Sequence, residues 1–552
     1  MTATSPQGTW TRLTPALRKK YIDSGAWKDV TLYHYLEERA RDHPDRVVCI
    51  DANRTITYAG LKDEIDRCAA FLRSLGIGPG DVVTIQIPNR IEFPVVFFSL
   101  ELIGAIANKI SPDFRRREVE YILRFSRSKG YVCASTFKGF DYAAMIDDLR
   151  GSLPDLTCVV VSGETTVPNV HALEQGLRDT APIGATERVH MDPDTIMRMA
   201  FTSGTTGDPK GVMHSFNTSL YPAYIVNSEM RVTASEVFLI WLPVGLNWGY
   251  LTLLQTVIAG ARAVLMERFG AEQALQLIEQ HRVTFIPTAP ASLQMILNVP
   301  DFRRHDCSSL RVVVTGGASA AIETIRAYQQ NMQGHLLELY GMLEDGFHTF
   351  TRFEDDPEKV NGTIGRIVGE MELRIIDEAG NDMPYGSEGE IAVYGPSVHL
   401  GYFNNPVANQ ELFTADDWFR TGDLGKYVDE AGNVMIVGRR KEMINRGGKK
   451  YFPREIEEFL YALPSILHTA IVGVNDLRLG ERNCLCVVLK PGASLDLDTV
   501  VRFLKGQVAD YKLPEMIEFY EELPFTPTGK IRRHVLTADV LERIQSRLAD
   551  AS

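Results

Sequence analysis

The sequence predicts an α/β protein in two parts. A large N-terminal domain of parallel α/β subdomains includes a small β-barrel-like part, and a small α+β domain follows it. Three observations carry this. Strand-length apolar runs alternate with helix-spaced segments through the first half of the chain. After about residue 365 the pattern changes to short strands broken by glycine-rich turns. The 552 residues exceed what one core serves, so at least two domains are expected.

The elements follow in order. A short helix is expected at Pro15–Ser24 and another at Leu32–Arg41. Val47–Ile50 and Thr55–Tyr58 read as strands around a turn at 51–54. In Leu61–Leu75 the residues Leu61, Ile65, Cys68, Ala69 and Leu72 recur at helical spacing, and Gly76 stops them. Val82–Ile87 is a strand and Ile91–Ile103 a helix. The apolar run Ile91–Ile110 contains Glu92, Pro94 and Glu101, which favours a buried helix over a membrane span. Segments 118–126, 131–134, 157–161, 236–241, 249–259, 263–265 and 271–281 continue the alternation. Leu373–Ile376, Glu390–Tyr394 and Val434–Val437 are short strands of a small barrel or antiparallel sheet. Helix Pro453–Ala462, strands Thr469–Val474 and Cys484–Leu489, and helix Asp496–Val508 make the α+β pattern. A boundary near Lys441 divides the chain into 1–440 and 441–552.

A hydrophobic content of 45% and a charged content of 23% are those of a soluble globular protein. The net charge of −13, with no basic tail or stripe, argues against nucleic-acid binding. The first residues lack a basic-then-apolar signal pattern. The seven cysteines are odd in number and scattered, and Cys484 and Cys486 point to one face of a strand. They read as free core thiols in a reducing cytoplasm.

The most informative stretch is Phe201–Gly211. The strand-like residues 196–201 lead into Thr202, Ser203, Gly204, Thr205, Thr206 and Gly207, then Pro209, Lys210 and Gly211. Glycines let backbone N–H groups approach phosphate oxygens, hydroxyls add donors, and lysine adds a charge. This is not a Walker A loop, which ends in Gly-Lys-Ser/Thr, whereas here Pro209 and Gly211 flank Lys210.

The stretch resembles the phosphate loop of the adenylate-forming superfamily of acyl-CoA synthetases, peptide-synthetase adenylation domains and luciferases. The resemblance covers roughly residues 30–540 and points to the acyl- or aryl-acid CoA ligase branch. It implies a nucleotide site from Glu338, Tyr340 and Gly341, with the Tyr340 ring on adenine, and a Mg²⁺ ligand and catalytic residue in Glu344. Leu343 departs from the pattern, which has a threonine there. Gly316, Gly317 and Ala318 match the turn lining the adenine and acyl sites. Asp423 and Arg439 match the ribose contacts, and Lys441 the hinge of a mobile C-terminal domain. Gly448 matches the glycine that admits the thiol arm, and Lys530 the catalytic lysine.

Leu246, Asn247 and Trp248 fall in the acyl-pocket segment, which is apolar except for Asn247. That suits a hydrophobic acid, aromatic or alicyclic, unless Asn247 merely caps a helix. The resemblance therefore implies an ATP- and Mg²⁺-dependent acid–thiol ligase. It would form an acyl-adenylate and pass the acyl group to coenzyme A. Its partner is a small carboxylic acid, with no nucleic acid and no membrane span expected, and a homodimer left open. One rival hands the acyl group to a carrier protein. Another is a non-catalytic nucleotide-binding regulator, supported by Leu343 alone.

Overall fold

Parallel strands of β-branched and aliphatic residues need cover on both faces, and this chain builds two such sheets. The computed structural model describes residues 11–201, 209–317, 320, 322–357, 362–447, 449–476, 478–526 and 530–550. One sheet has eight strands, in the order Gly401–Tyr402, Gly211–Ser215, Ile196–Phe201, Ile106–Lys109, Val82–Gln86, Gly130–Ala134, Cys158–Ser162 and His171–Ala172. The other has nine, in the order Arg366–Ile367, Gly346–Phe350, His335–Met342, Val312–Gly316, Phe285–Thr288, Val237–Ile240, Arg262–Leu265, Val47–Ile50 and Thr55–Thr57. The centres are parallel, and antiparallel strands close both ends of the nine-stranded sheet and one end of the other. One hydrophobic core joins residues of both sheets to the buried helices Glu92–Leu102, Phe216–Glu229 and Asn247–Ala259.

The glycine-rich second half forms an open antiparallel sheet of four strands, Glu372–Ile376, Gly389–Tyr394, Phe419–Tyr427 and Val434–Arg439. Of the two forms expected there, the antiparallel sheet is the one adopted.

The C-terminal sheet contains Lys449–Tyr451, Ile444–Arg446, Gly480–Leu489 and Ile466–Asp476, with Met516–Phe519 parallel to Gly480–Leu489. Its alternation feeds two cores. Leu485 and Val487 pack with Ile456, Leu460 and Leu504 on one face. Cys484 and Cys486 pack with Leu536 and Val540 on the other. The two thiols thus share a face, and all seven cysteines are free.

Several expectations shift. The helix expected at Ile91–Ile103 is found at Glu92–Leu102, and the strand Ile106–Lys109 that follows Gly104, at φ +72°, was not anticipated. The expected helix to Val508 ends at Leu504, and Gly506 takes φ +83°. The helix Arg533–Asp550 was not anticipated at all. No described helix is long and apolar enough to cross a membrane.

Candidate active site

A cavity of about 1440 Å³ opens where the parallel sheets, the antiparallel sheet and the C-terminal part meet. It is lined by Lys210, Leu246, Asn247, Trp248, Gly317, Gly341, Glu344, Asp423, Arg439, Lys441 and Lys530. These residues come from seven segments of the chain, so the fold brings together eleven of the fourteen expected site residues that are described; Gly316, Glu338 and Tyr340 are not among the lining residues.

At one end two strands set up a charge pair. Asp423 on Phe419–Tyr427 is the register partner of Arg439 on Val434–Arg439. Arg439 Nε lies 2.7 Å from Asp423 Oδ1, and the Tyr340 hydroxyl donates to Asp423 Oδ2 at 2.7 Å. Tyr340 also meets the His348 ring edge-on at 4.9 Å. Glu338 is buried and its Oε1 has no hydrogen-bond partner. Burial pushes its carboxyl up to about 7, against the opposing effects of Thr315 and Arg454. An orphaned buried oxygen of this kind suits a donor from a bound nucleotide.

The backbone makes room beside it. A Cβ on Gly316 would lie 2.4 Å from the Leu339 carbonyl oxygen and 2.9 Å from Trp248 Cη2. A Cβ on Gly341 would lie 1.9 Å from the Gly346 carbonyl oxygen. Gly317 takes φ +78°. Only glycine fits such positions without displacing backbone.

At the phosphate end Phe201 pairs with Gly211 across an antiparallel ladder, so the glycine-rich loop joins two hydrogen-bonded strands. Thr202, Ser203, Gly204, Thr205, Thr206 and Gly207 lie outside the described residues, as do Ala318 and Gly448. Lys210 Nζ sits 5.3 Å over the Tyr402 ring, and the Tyr402 hydroxyl donates to Glu344 Oε1 at 3.0 Å. Burial, then the neighbouring Asp345 charge, raises the Glu344 carboxyl to about 7, while Tyr402 and Lys210 act in the opposite sense. Among the described residues no group of three or more His, Cys, Asp or Glu side chains could hold a metal alone. A single carboxylate lining the cavity with Lys210 fits Mg²⁺, which fills its remaining positions with phosphate oxygens and water.

Leu343 places no hydroxyl in the cavity. Its side chain joins a small cluster with Val212, Tyr402, Ala408 and Leu412. Its carbonyl oxygen lies 2.8 Å from Nε2 of the buried His214. Burial holds that ring well below the usual histidine range, so it is neutral and places its proton on Nε2.

The acyl end is set by the helix Asn247–Ala259, whose cap is Leu246. Asn247 does not cap it. Its Nδ2 donates to the Met342 carbonyl at 3.0 Å, and its Oδ1 accepts from an Arg198 nitrogen at 3.4 Å. Trp248 meets the Phe347 ring edge-on at 6.4 Å and closes an apolar wall.

Lys530 enters from the C-terminal part, its N–H donating to Thr526 Oγ1 at 2.9 Å. Burial, then the Arg439 charge, lowers its amine to about 8, against Asp423, Glu442 and Glu344. Lys441 sits in the short helical turn Arg440–Glu442 between the antiparallel sheet and the C-terminal sheet. Gly447, at φ +61°, turns the chain between Ile444–Arg446 and Lys449–Tyr451. Sequence reasoning missed Tyr402, His348 and Arg198. Only Arg198 carried a signal, as a charge inside an apolar strand.

Known proteins similar to this chain show its family. The family model described as "AMP-binding enzyme" matches residues 36–403, and that described as "AMP-binding enzyme C-terminal domain" matches 455–530. The chain is 33% identical over 532 residues to a medium-chain fatty-acid–CoA ligase of Escherichia coli (strain K12), covering 96% of this chain and 93% of that one. It is 32% identical over 530 residues to a 2-hydroxy-7-methoxy-5-methyl-1-naphthoate–CoA ligase of Streptomyces carzinostaticus, covering 94% and 95%. The crystal structure of an anthranilate CoA ligase, AuaEII, in complex with anthranoyl-AMP superposes with a TM-score of 0.86 at 25% identity, covering 95% of this chain and 98% of that one. The chain belongs to the AMP-binding enzyme family and is an AMP-forming acid–thiol ligase.

Proposed function

We propose that this ligase activates a hydrophobic, ring-containing carboxylic acid, aromatic or alicyclic, and transfers it to coenzyme A. The observation that carries the reading is the acyl end of the cavity. Leu246, Trp248 and Phe347 line it, and both ends of the Asn247 amide are occupied by Met342 and Arg198. Relatives named for naphthoate and anthranilate fit the same reading.

The chemistry follows from the positions. A carboxylate is a poor electrophile. Its attack on the α-phosphorus of ATP forms a mixed anhydride and releases pyrophosphate, and a thiol then displaces AMP. Ser203, Thr205, Thr206 and Lys210 would cradle the β- and γ-phosphates. Tyr340, Gly316 and Gly317 would hold adenine, with Glu338 as the acceptor for a nucleotide donor. Asp423 would exchange its bonds to Tyr340 and Arg439 for the ribose hydroxyls. Lys530 would bridge the substrate carboxylate and the α-phosphate, offsetting their repulsion as the pentacoordinate state forms. When bound at Glu344, Mg²⁺ supplies charge neutralisation to the phosphates. With a domain boundary at 440/441, Lys441 would be the pivot about which Lys530 withdraws for the thiol step, and Gly448 would admit the thiol arm.

The test is an incubation with ATP, Mg²⁺, coenzyme A and a panel of benzoic, naphthoic, cyclohexane and straight-chain acids. Ring acids are expected to give thioester, with kcat/KM above that of straight-chain acids of equal carbon number. Adenylate formation without thioester on free coenzyme A would shift the reading to carrier-protein loading. Absence of pyrophosphate–ATP exchange with every acid would favour a nucleotide-binding regulator.

A further inference from the structure

Behind Asn247 the fold buries two cations that no acid balances. Arg198 lies on Ile196–Phe201 and Lys109 ends the neighbouring parallel strand, where Arg198 pairs with Ala107 and Ala200 with Lys109. The two side chains therefore rise from the same region of one sheet. Each is only 1% exposed. Each sits 4.8 Å from the centroid of the same ring, that of the fully buried Tyr250.

Their hydrogen bonds are few. Lys109 Nζ reaches the Gly245 carbonyl at 3.4 Å. Arg198 donates through Nε to Ser219 Oγ at 2.8 Å and through Nη2 to Asn247 Oδ1 at 3.4 Å. Its Nη1 has no partner. Among the described residues no carboxylate forms an ion pair with either. The neighbouring ionisable groups are each other, Tyr250 and the neutral His214.

Burial pushes the Lys109 amine well below the usual lysine range, and Arg198 pushes it further. Burial likewise lowers Arg198 to about 10. A buried basic group with no counter-charge is driven toward its neutral form, and two such groups side by side reinforce the effect. A cation–π contact with one phenol ring accounts for one cation at most. An ordinary core would place apolar residues here, as it does at Met197 and Ala200 on the same strand. The complement that would let both groups carry their charge is an anion.

The cavity supplies the route to it. Asn247 lines the acyl end, and its amide is the group between that space and Arg198. We propose that Lys109, Arg198 and Asn247 form a second subsite that takes an anionic group at the far end of the substrate, so that the acid activated is a ring dicarboxylate. The proposal rests on the ring-acid reading above and narrows it. The ring would lie along the Leu246–Trp248 wall with one carboxylate toward Lys530. The other would receive the free Arg198 Nη1 and the Lys109 amine, a fork plus a point charge suited to a carboxylate. Asn247 would turn its amide nitrogen from Met342 toward it.

The experiment compares benzoate and cyclohexanecarboxylate with terephthalate, isophthalate and cyclohexane-1,4-dicarboxylate in pyrophosphate–ATP exchange. At least one diacid is expected to exceed its monoacid in kcat/KM by about tenfold or more. Lys109→Met is expected to lower that diacid's kcat/KM by about tenfold or more, leaving the monoacid within about twofold, and Arg198→Met is expected to lower the ratio of diacid to monoacid kcat/KM by as much. Arg198→Lys, which keeps the charge, should recover part of the loss. Calorimetry of the wild-type protein with the diacids and monoacids reads the subsite without any variant, and tighter diacid binding is the expected result. The proposal is overturned if monoacids are bound and used as well as diacids. It is equally overturned if both variants lower both acids alike, which is the signature of a structural pair. Exchange with monoacids alone would sink the subsite and spare the ligase reading; exchange with no acid would sink both.

Discussion

Glu344 and Lys530 titrate where an enzyme at neutral pH can use both states, and each shift has a local cause. Burial and Asp345 bring the Glu344 carboxyl to about 7. Burial and Arg439 bring the Lys530 amine to about 8. The proposed metal ligand must be ionised, so kcat/KM for adenylation should rise with pH through about 7. The proposed bridging lysine must be protonated, so kcat/KM should fall through about 8. The expected profile is a narrow bell, measured by pyrophosphate–ATP exchange from about pH 5.5 to 9.5. Lys530→Arg keeps the charge and should remove the alkaline limb, because guanidinium does not titrate in that range. A wild-type rate that stays flat above pH 8.5 would contradict the role given to Lys530. Both residues were legible in the sequence because their motifs are contiguous. Their proton affinities were not, because Asp345, Tyr402 and Arg439 act through burial and distance. Tyr402 reaches Glu344 across 58 positions of chain.

Among the elements, the helix Arg533–Asp550 is held by its first residue. Arg533 donates through Nη1 and Nη2 to the two oxygens of Glu457 at 2.7 Å each, through Nε to Glu442 at 3.0 Å, and to the Ile471 carbonyl at 2.8 Å. It thereby ties that helix to the helix Arg454–Leu460 and to the turn carrying Lys441. Arg533→Met would leave two carboxylates facing each other without their cation. Removing one partner of a buried pair costs about 3–5 kcal/mol, so the C-terminal part should melt earlier and be cut sooner by protease than the N-terminal part. Equal melting of wild type and variant would remove Arg533 from this role. This helix and Phe216–Glu229 escaped the pattern reading for different reasons. Phe216–Glu229 buries Asn217, Thr218 and Ser219 as well as its apolar side chains and contains Pro222, so no amphipathic stripe marks it. Among the described side chains of Arg533–Asp550, Leu536 and Val540 are fully buried, too few to give a clear period. Where a face was clear, as in 61–75 and 271–281, the sequence reading and the structure agree to within about three residues.

For the whole molecule, Lys530 lines the cavity with Asp423, Arg439 and Glu344, which is the placement its proposed adenylation role requires. The thiol step needs Lys530 gone and the thiol arm admitted, which is the work proposed for the pivot at Lys441. Lys530→Ala should lower adenylate formation by about a hundredfold or more, the scale of losing one preorganised charge, while sparing thioester formation from supplied acyl-adenylate. Gly448→Leu should do the reverse. Equal damage to both half-reactions by both variants would exclude rotation as the mechanism. The sequence by itself determined the family, and it supplied the proposed nucleotide and phosphate residues, the proposed lysine and the apolar character of the acyl end. Short contiguous motifs carry their own chemistry in their residue types. The tertiary structure alone decided that Asp423 is shared by Arg439 and Tyr340, that Asn247 is pinned rather than a cap, and that Lys109 and Arg198 are buried with no acid beside them. Those facts depend on desolvation and counter-charge, which arise only when segments a hundred or more residues apart close around the same space.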